Sequence, residues 1–519
     1  MDYSGFQQYR IDNCGAGGLR YDRLPWQLGE REWQEATNVS FTRGGVQRTK
    51  GWVQLGSAIA DVSVADDNLP VAGFGYVRNT GQTHLIVVTL LRTYEFSGSA
   101  WGNIQGGGNF SGNAITTDMG FEMLRGNLYI APGANAIRKW NGTDATHAAL
   151  GGTPPNCRDI AALDDRLLLG RIRTSGLEKT IRASSEGNDA LWPTDGNHLY
   201  RLERTPHPLV RMKRTSGRVW CFKAMGISEL TQHENPWWMQ EELVADGIGL
   251  GSGQTIAEYL GTDYFVGLRG VYRMAGGNAS EIGQAVNPKL LKQVGGVGET
   301  ADTTTSRSIR ACVFAHADPD LDEIAFASND SDGTITDPIY CYSPRWNTWS
   351  RKWMGSGLQL CATGYLENIA QDGIAGIGRL RSFFSVTNTT RRKNIYRFND
   401  GVDYITADGF PVISDAKSGW LDMGTLKRKQ FAAYMPVFDR VTGTTMTINL
   451  RFYDDTTDTR PATGNKLRTK TLVLDGTNAL LELENASGRW VEVEIQQNSN
   501  NQDWRLVEHR FLYKEMDWH

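Results

Sequence analysis

The chain of 519 residues lacks the cysteine pattern of a disulfide-rich or zinc-binding protein. Its six cysteines are scattered singly, without any C-x-x-C pair, so we expect reduced core residues and neither disulfides nor a metal site. Proline is also scarce, at 16 residues, whereas glycine is abundant at 58. This balance argues against a collagen-like or disordered chain and predicts many tight turns.

The sequence also has little net charge and no long apolar segment. A formal net charge of −4 argues against a nucleic-acid-binding domain, which is normally basic. The longest apolar run, Leu85 to Leu91, is shorter than the roughly 20 residues that cross a bilayer. The first ten residues contain no apolar signal region. We therefore expect no membrane partner and a soluble product made in the cytoplasm.

Familiar catalytic motifs are missing as well. No serine lies in a G-x-S-x-G elbow, and His233-Glu234 is followed by Asn-Pro, which cannot continue the helical H-E-x-x-H zinc motif. The glycines at 247, 249, 251 and 253 lack the spacing of a dinucleotide-binding loop and predict a turn. We expect a protein that is not an enzyme, with no catalytic residue and no cofactor.

Two clusters of charged residues are weighed as sites. Asp318, Asp320 and Asp322 resemble the start of a calcium loop, but the sixth position is a glutamate where glycine is needed, which favours a solvated hairpin tip. Asp164-Asp165-Arg166, together with Arg171, Arg173 and Arg182, would suit a glycosidase if the side chains converged. The alternative is a set of exposed ion pairs at turns.

Aromatic and β-branched residues are plentiful, and a sustained helical period is almost absent, which favours strands. The stretch 261–276 has two short apolar runs around a glycine-rich turn, as in a β-hairpin. Seven such pairs recur about every 40 to 60 residues, a period that suits four-stranded propeller blades. Their first runs are 85–88, 128–130, 167–169, 219–222, 264–266, 324–326 and 383–386, and their second runs are 94–96, 137–140, 181–184, 227–230, 271–274, 339–342 and 395–398.

After residue 400 the strands become longer and alternate apolar with charged residues, as in an antiparallel sheet with one wet face. The sequence therefore predicts an all-β protein, a β-propeller of about seven blades with a C-terminal β-sandwich-like domain. We expect an extended N-terminal arm at 1–37, the propeller at 38–400 and the sandwich at 401–519.

Several of the repeating units end with a tryptophan near a turn, at Trp101, Trp140, Trp192 and Trp349. A bulky aromatic at this position fills the gap between neighbouring blades. The alternative is that these are ordinary core or edge tryptophans.

Eight further residues are candidates for contacts with partners. In a strand, Trp237 and Trp238 cannot both point inward, so one is a possible interface anchor unless a neighbouring loop covers it. Two short basic stretches are possible contact patches, although runs of three charges are usually solvated: Arg391, Arg392, Lys393 and Lys427, Arg428, Lys429.

The order of motifs resembles the tail hub or nozzle proteins of short-tailed bacteriophages, in the form known as packaged-DNA stabilisation or head-completion proteins. The stretch N-V-S-F-T-R-G-G-V-Q-R-T-K-G-W, from Asn38 to Trp52, looks like that family's entry motif of asparagine, turn, glycine and arginine. The similarity covers most of 38–515 in order and continues through 164–169, 183–193, 219–230, 246–249, 264–272 and 488–495.

The resemblance implies a virion protein that forms a six-fold ring below the portal and adaptor proteins. Such a ring forms the tail channel, contacts other tail proteins such as fibres or a needle, and retains packaged double-stranded DNA without sequence-specific binding. The expected location is the virion tail, after assembly in the bacterial cytoplasm. Two alternatives remain: a tail-associated propeller that hydrolyses or cleaves glycans, and a propeller module that binds a host protein or carbohydrate.

Overall fold

The computed structural model of this protein describes residues 4–51, 53–59, 70–78, 81–111, 119–195, 198–233, 238–293, 314–318, 321–327, 339–353, 360–365, 382–386, 394–397, 404–405, 410–441, 444–461, 466–474, 480–497 and 503–516. Nearly all regular structure in these ranges is β-strand, which confirms the all-β fold class. Within them, no helix combines the length and the apolar character needed to cross a bilayer.

The chain begins with six short strands and one 3-10 turn at Pro25–Gln27. The strands are β1 (Gln7–Asp12), β2 (Gly18–Leu19), β3 (Glu32–Thr37), β4 (Val39–Thr42), β5 (Gly45–Arg48) and β6 (Val53–Gln54).

The next part of the chain builds seven four-stranded antiparallel blades within the described residues. Blade 1 has β7 (Pro70–Val77), β8 (Thr83–Thr89), β9 (Thr93–Phe96) and β10 (Trp101–Asn103); blade 2 has β11 (Gly120–Leu124), β12 (Asn127–Ala131), β13 (Arg138–Trp140) and β14 (Ala148–Ala149). Blade 3 has β15 (Cys157–Leu163), β16 (Arg166–Ile172), β17 (Thr180–Ala183) and β18 (Leu199–Arg201); blade 4 has β19 (Leu209–Thr215), β20 (Arg218–Lys223), β21 (Gly226–His233) and β22 (Trp238–Asp246).

Blade 5 has β23 (Ile256–Tyr259), β24 (Thr262–Val266), β25 (Val271–Ala275) and β26 (Asn278–Glu281), followed by the short helix α1 (Asn287–Gln293). Blade 6 has β27 (Phe314–Asp318), β28 (Glu323–Ala327), β29 (Ile339–Ser343) and β30 (Thr348–Lys352). Blade 7 has β31 (Leu360–Tyr365), β32 (Ser382–Val386) and β33 (Ile395–Arg397), and its fourth strand is the N-terminal β6.

The blades close into a ring. The first strand of each blade is innermost, and β31 of blade 7 packs against β7 of blade 1. The ring is fastened because β6 pairs with β33, with Gln54 opposite Tyr396. Joining strands from the two ends of the propeller in one blade fixes the circle.

The apolar runs of the second strands are continuous because both faces of each blade are buried. In β8, Leu85 and Val87 pack towards blade 7, whereas Ile86 and Val88 pack towards blade 2. All four side chains are fully buried. Because successive side chains of a strand point to opposite faces, one strand contributes to the hydrophobic cores on both sides of its blade.

The tryptophans at the ends of the units fill gaps between blades, as predicted. Trp101 lies in the core between blades 7 and 1, Trp140 between blades 1 and 2, and Trp192 between blades 2 and 3. Trp349 of blade 6 is buried too, and its indole N–H donates to the carbonyl oxygen of Ile282, just after blade 5, at 3.0 Å.

The C-terminal part forms a small hairpin and then a β-sandwich. The hairpin is β34 (Tyr404–Ile405) with β35 (Phe410–Pro411), and the sandwich strands are β36 (Ser414–Ser418), β37 (Lys429–Val441), β38 (Thr444–Tyr453), β39 (Leu467–Leu474), β40 (Leu481–Gly488), β41 (Trp490–Gln497) and β42 (Trp504–Glu515). One sheet has the order β4-β5-β42-β37-β40, with β1 also paired to β42, and the other has the order β2-β3-β36-β41-β38-β39. Phe431 of the first sheet contacts Phe452 of the second, with ring centroids 5.1 Å apart.

The structure corrects the expectation of an extended arm at 1–37. β1 pairs with β42 and β3 pairs with β36, so both ends of the chain build the sandwich. Trp33 is buried, and its indole N–H donates to the carbonyl oxygen of Cys14 at 2.7 Å. β4 and β5 also belong to the sandwich, so the propeller strands begin at β6 and not at residue 38. Pairing between segments several hundred residues apart leaves no local pattern to read.

Propeller and sandwich are joined by a continuous sheet. Arg351 of β30 pairs with Val39 of β4, so the sheet of blade 6 runs on into the first sheet of the sandwich. One hydrophobic core contains Tyr342 of blade 6 together with Phe452 and Trp504 of the sandwich. We infer that the two parts form one body.

The motif that begins at Asn38 lies at this joint. Asn38 adopts a φ of 53°, and its side-chain amide accepts from the backbone N–H of Trp353 and donates to the carbonyl oxygen of Ile413, each at 2.7 Å. Arg48 is buried and donates to the carbonyl oxygen of Val412 at 2.6 Å. The asparagine thus connects the end of blade 6 to the segment that leads into β36, and the arginine bonds to the same segment.

Candidate functional site

The candidate site is the central channel of the propeller. The innermost strands enclose a cavity of about 640 Å³, within the range of small-molecule sites. Its described walls come from β7, β11, β15, β19, β23 and β27 and from residues just before β11 and β23.

Two hydrogen bonds connect separated parts of the channel wall. The Arg211 guanidinium of blade 4 donates to the carbonyl oxygen of Met119, just before blade 2, at 3.0 Å. The Gln254 amide, just before blade 5, donates to the carbonyl oxygen of Val71 in blade 1 at 3.3 Å. Each bond skips at least one blade, so the side chains of the wall reach across the lumen and narrow it.

Strand β19 brings three cations to the channel: Arg211, Lys213 and Arg214. Arg211 Nε lies 3.4 Å from the Oδ1 atom of Asp159, a fully buried residue of blade 3. Lys213 Nζ lies 3.5 Å from Glu258 Oε2 in blade 5. The exposed Arg214 has no ion pair with the part of the chain that the structure describes.

The carboxyl group of Glu122 lies in the channel wall. Its two carboxylate oxygens accept from the backbone N–H groups of Met123, at 2.9 Å, and Ala162, at 3.2 Å. Burial in the channel raises the pKa of Glu122 to about 7, although those bonds and the nearby Arg214 and Lys213 oppose the rise. Near pH 7 this carboxyl group exists in both protonation states.

Two other groups near the channel are also shifted by burial. Burial lowers the pKa of His316 in β27 to about 3, so its imidazole is neutral at physiological pH. Burial raises the pKa of Asp263 in β24 to about 6, while Lys213 opposes the rise. The hydroxyl of Thr215 donates to Asp263 at 2.9 Å.

In the Asp164 to Arg182 cluster, one ion pair links two blades and two further contacts lie within blade 3. Asp165 forms an ion pair with Arg125 of blade 2 at 2.5 Å. Arg166 pairs with Glu186 at 2.9 Å, and Arg182 donates to the carbonyl oxygen of Trp192 at 2.6 Å. These contacts match the alternative of ion pairs at turns.

Asp318 and Asp322, from the stretch that resembles a calcium loop, have different environments. Asp318 is buried in β27, and Asp320 lies outside the described residues. Asp322 accepts from the hydroxyl of Tyr259 in blade 5, which links two blades. The described residues contain no group of three His, Cys, Asp or Glu side chains placed to hold a metal ion.

Four of the eight predicted contact residues lie outside the part of the chain that the structure describes. Trp237 and the stretch Arg391, Arg392, Lys393 lie outside the described residues. Trp238 begins β22, opposite His233, and only its backbone is described.

The second basic stretch is not a patch of three exposed cations. Lys427 forms an ion pair with Glu515 at 2.9 Å, and Arg428 pairs with Asp454 at 3.3 Å. Lys429 is buried, and its ammonium donates to the carbonyl oxygens of Thr425, Lys427 and Arg489 at 2.5, 2.8 and 2.9 Å. These three bonds show that Lys429 stabilises a turn of the sandwich. Burial lowers the pKa of its ammonium group to about 8.

A surface on the sandwich was missed by the sequence reading. Trp26 packs on Trp420 with ring centroids 5.5 Å apart, and Trp420 stacks on Tyr453 at 3.9 Å. Trp26 and the neighbouring Leu24 remain 37% and 50% exposed. We name Leu24 and Trp26 the apolar turn.

The channel residues were missed as well, although a signal exists. Arg211, Lys213 and Arg214 place three cations within four residues, nearly as dense a run as 391–393 and 427–429. Inner strands carry few apolar residues in a row, so they do not stand out by periodicity.

No protein-family model and no curated protein matches the chain. Among solved structures, 377 chains match. One of them is described as "YCF48 bound to D1 peptide"; it is 11% identical, covers 69% of this chain and 96% of that chain, and has a TM-score of 0.36. A likeness this low adds no argument about function.

Proposed function

We propose that this protein is a structural subunit of the tail hub or nozzle ring of a short-tailed bacteriophage, and not an enzyme. In this proposal it assembles with copies of itself, as a hexamer, below the portal and adaptor proteins in the virion tail. The resemblance over 38–515 motivates the proposal, and the continuous sheet between blade 6 and the sandwich supports it. A subunit that acts as one body suits a ring that must resist the pressure of packaged DNA.

Asn38 and Arg48, the asparagine and the arginine of the entry motif, have a structural role at the joint. Both residues of the entry motif bond to backbone carbonyls at the joint between the two parts. The motif therefore has a structural task that would suit any protein with this architecture.

The proposed DNA path lies between subunits and not through the propeller. A cavity of about 640 Å³, narrowed by Arg211 and Gln254, has no room for a double helix. A lumen surrounded by several copies of a mildly acidic chain would let DNA slide without tight phosphate contacts. Fibres or a needle would then bind on the outside of the ring.

A ring requires a heterologous interface, in which two different surfaces of neighbouring subunits meet. The apolar turn is our candidate for one of these surfaces. Leu24 and Trp26 are both exposed, and Trp26 packs on the buried Trp420. Tryptophans that are supported by buried side chains are frequent interface anchors.

Native mass spectrometry and negative-stain imaging of the full chain test the proposal. We expect a ring of six subunits, and we expect the double variant Leu24→Ala, Trp26→Ala to give mainly smaller species with unchanged circular dichroism. The control is Leu191→Ala, which removes an apolar side chain that is 54% exposed on blade 3. A wild-type chain that stays monomeric at high concentration and cleaves surface polysaccharide would contradict the proposal in favour of a tail-associated glycan-cleaving enzyme.

A further inference from the structure

We propose that the central channel of the propeller is a binding site for a small polyvalent anion, such as a phosphorylated or polycarboxylate metabolite, held by Lys213 and Arg214 with Arg211 beside them. This inference does not depend on ring formation. It concerns a cavity inside a single chain.

The arrangement of donors supports an anion. Arg211, Lys213 and Arg214 all line the cavity from one strand, β19. A lysine ammonium has three N–H donors and a guanidinium has five, so the contacts to Asp159, Met119 and Glu258 leave further donors on Arg211 and Lys213. Charge-assisted hydrogen bonds from such groups to phosphate or carboxylate oxygens are short and strong.

Three carboxyl groups, Glu122, Asp159 and Glu258, face the three cations, and the partial protonation of Glu122 near pH 7 leaves an excess of positive charge. Glu122 already accepts two backbone N–H groups. Asp159 accepts the backbone N–H of Met212 and faces Arg211. Glu258 lies beside Lys213 at 3.5 Å, and Arg214 is near Glu122 but forms no ion pair with the described residues.

The cavity also limits the size and shape of the ligand. Phe74 and Phe121 stack with ring centroids 5.2 Å apart in the wall, so an apolar surface lies beside the cations. A volume of about 640 Å³ accommodates a compact organic anion and excludes a folded chain or a nucleic-acid duplex.

Anion binding should be linked to proton uptake by Glu122. Lys213 and Arg214 of β19 lie near this carboxyl. The other charged or titratable groups of the channel wall are Arg211 of β19, Glu258 of β23 and His316 of β27, with Asp159 of β15 beside Arg211 and Asp263 of β24 near Lys213. Near pH 7 Glu122 is part protonated, and a nearby anion favours the neutral form. Bound anion and bound proton should therefore assist one another.

Isothermal titration calorimetry of the full chain with inorganic pyrophosphate tests the inference. At pH 7 we expect one site per chain, with affinity at least about tenfold weaker in Arg214→Ala and in Lys213→Met. Arg214 is exposed, so its removal should leave folding intact. The control is Arg218→Ala, which removes a cation of the next strand that pairs with Glu229 at 3.3 Å and does not line the cavity.

Titration in two buffers of different ionisation enthalpy measures the proton. We expect uptake of a fraction of one proton per anion in the wild-type chain, and none in Glu122→Gln. Absence of pyrophosphate binding would overturn the proposal. So would equal weakening by Arg218→Ala, because that result would indicate unspecific attraction to surface cations.

Discussion

Two buried carboxyl groups of the propeller, those of Glu241 and Asp263, differ in the partners that offset the loss of hydration. In blade 4, Glu241 receives the ammonium of Lys223 and the hydroxyl of Ser228, the latter at 2.7 Å, and all three residues are buried. Asp263 has no such ion pair among the described residues and accepts from the hydroxyl of Thr215. Asp263 is therefore a weak point of the interface between blades 4 and 5.

The effect of Asp263 on the free energy of unfolding should depend on pH. In the unfolded chain this carboxyl ionises near its ordinary pKa of 3.8, whereas burial raises the pKa in the fold to about 6. The folded state holds the proton more tightly, so the stability from this group is complete below about pH 4 and is lost as the pH rises to about 6. We predict that Asp263→Asn, which can still accept from Thr215, is more stable than wild type by about 1–3 kcal/mol at pH 7.5 and equal to it at pH 4.

Urea unfolding of both proteins at the two pH values measures this difference. Asp246→Asn, which neutralises an exposed carboxylate, is the control for the loss of a charge. A destabilised Asp263→Asn at pH 7.5 would mean that the interaction with Lys213 outweighs burial.

At the level of elements, the sequence predicted the middle of each blade. All seven pairs of apolar runs are the second and third strands, and the stretch 261–276 contains β24 and β25 of blade 5. These strands are buried on both faces between neighbouring blades, so their apolar residues are continuous and easy to recognise.

The inner strands and the closure of the ring were not predictable in the same way. β7 reads Val71-Ala72-Gly73-Phe74-Gly75, because a strand at the axis packs closely and partly faces a polar channel. β6 is a strand of only two residues. It pairs with β33, which follows it in the sequence after nearly all the other propeller strands. Neither has a local periodicity.

The closure of the ring should depend on Leu55. This residue follows β6 and is buried between blades 7 and 1; its N–H donates to the carbonyl oxygen of Ile395 at 2.7 Å, and its own carbonyl accepts from the indole of Trp101 at 3.2 Å. We predict that Leu55→Ala lowers the free energy of unfolding by about 2–5 kcal/mol, because it leaves a cavity at the fastening point.

Hydrogen exchange should then increase first in β33 and β9, the strands on either side of the closure. Leu191→Ala, at an exposed site of blade 3, should change stability by less than about 0.5 kcal/mol. Unchanged exchange in β33 would show that blade 7 does not need β6.

At the level of the whole molecule, the fold was more accessible from the sequence than the candidate site. The propeller follows from a repeating local pattern, whereas the sandwich combines β1 to β5 with β36 to β42. The channel likewise combines single residues from different blades, such as Glu122, Asp159 and Lys213. Only the closed ring brings these residues together, so their convergence could not be predicted from spacing along the chain.

If the propeller and the sandwich form one body, a substitution at the joint should destabilise both of them. Asn38→Ala removes the bonds to Trp353 and Ile413 and forces alanine into a φ of 53°, which asparagine tolerates better. We expect a loss of about 2–4 kcal/mol, since two partly buried hydrogen bonds are lost and alanine is strained at this φ. Hydrogen exchange should rise together in β30 of blade 6 and in β36 of the sandwich.

A second asparagine provides a matched control for this prediction. Asn347 also has a positive φ, 51°, but it lies in the exposed turn before β30 and accepts from the hydroxyl of Tyr342 at 2.8 Å. Asn347→Ala should increase exchange in blade 6 alone. If Asn38→Ala affected β36 and left β30 protected, propeller and sandwich would be separate units, and the continuous sheet from β30 to β4 would not couple them.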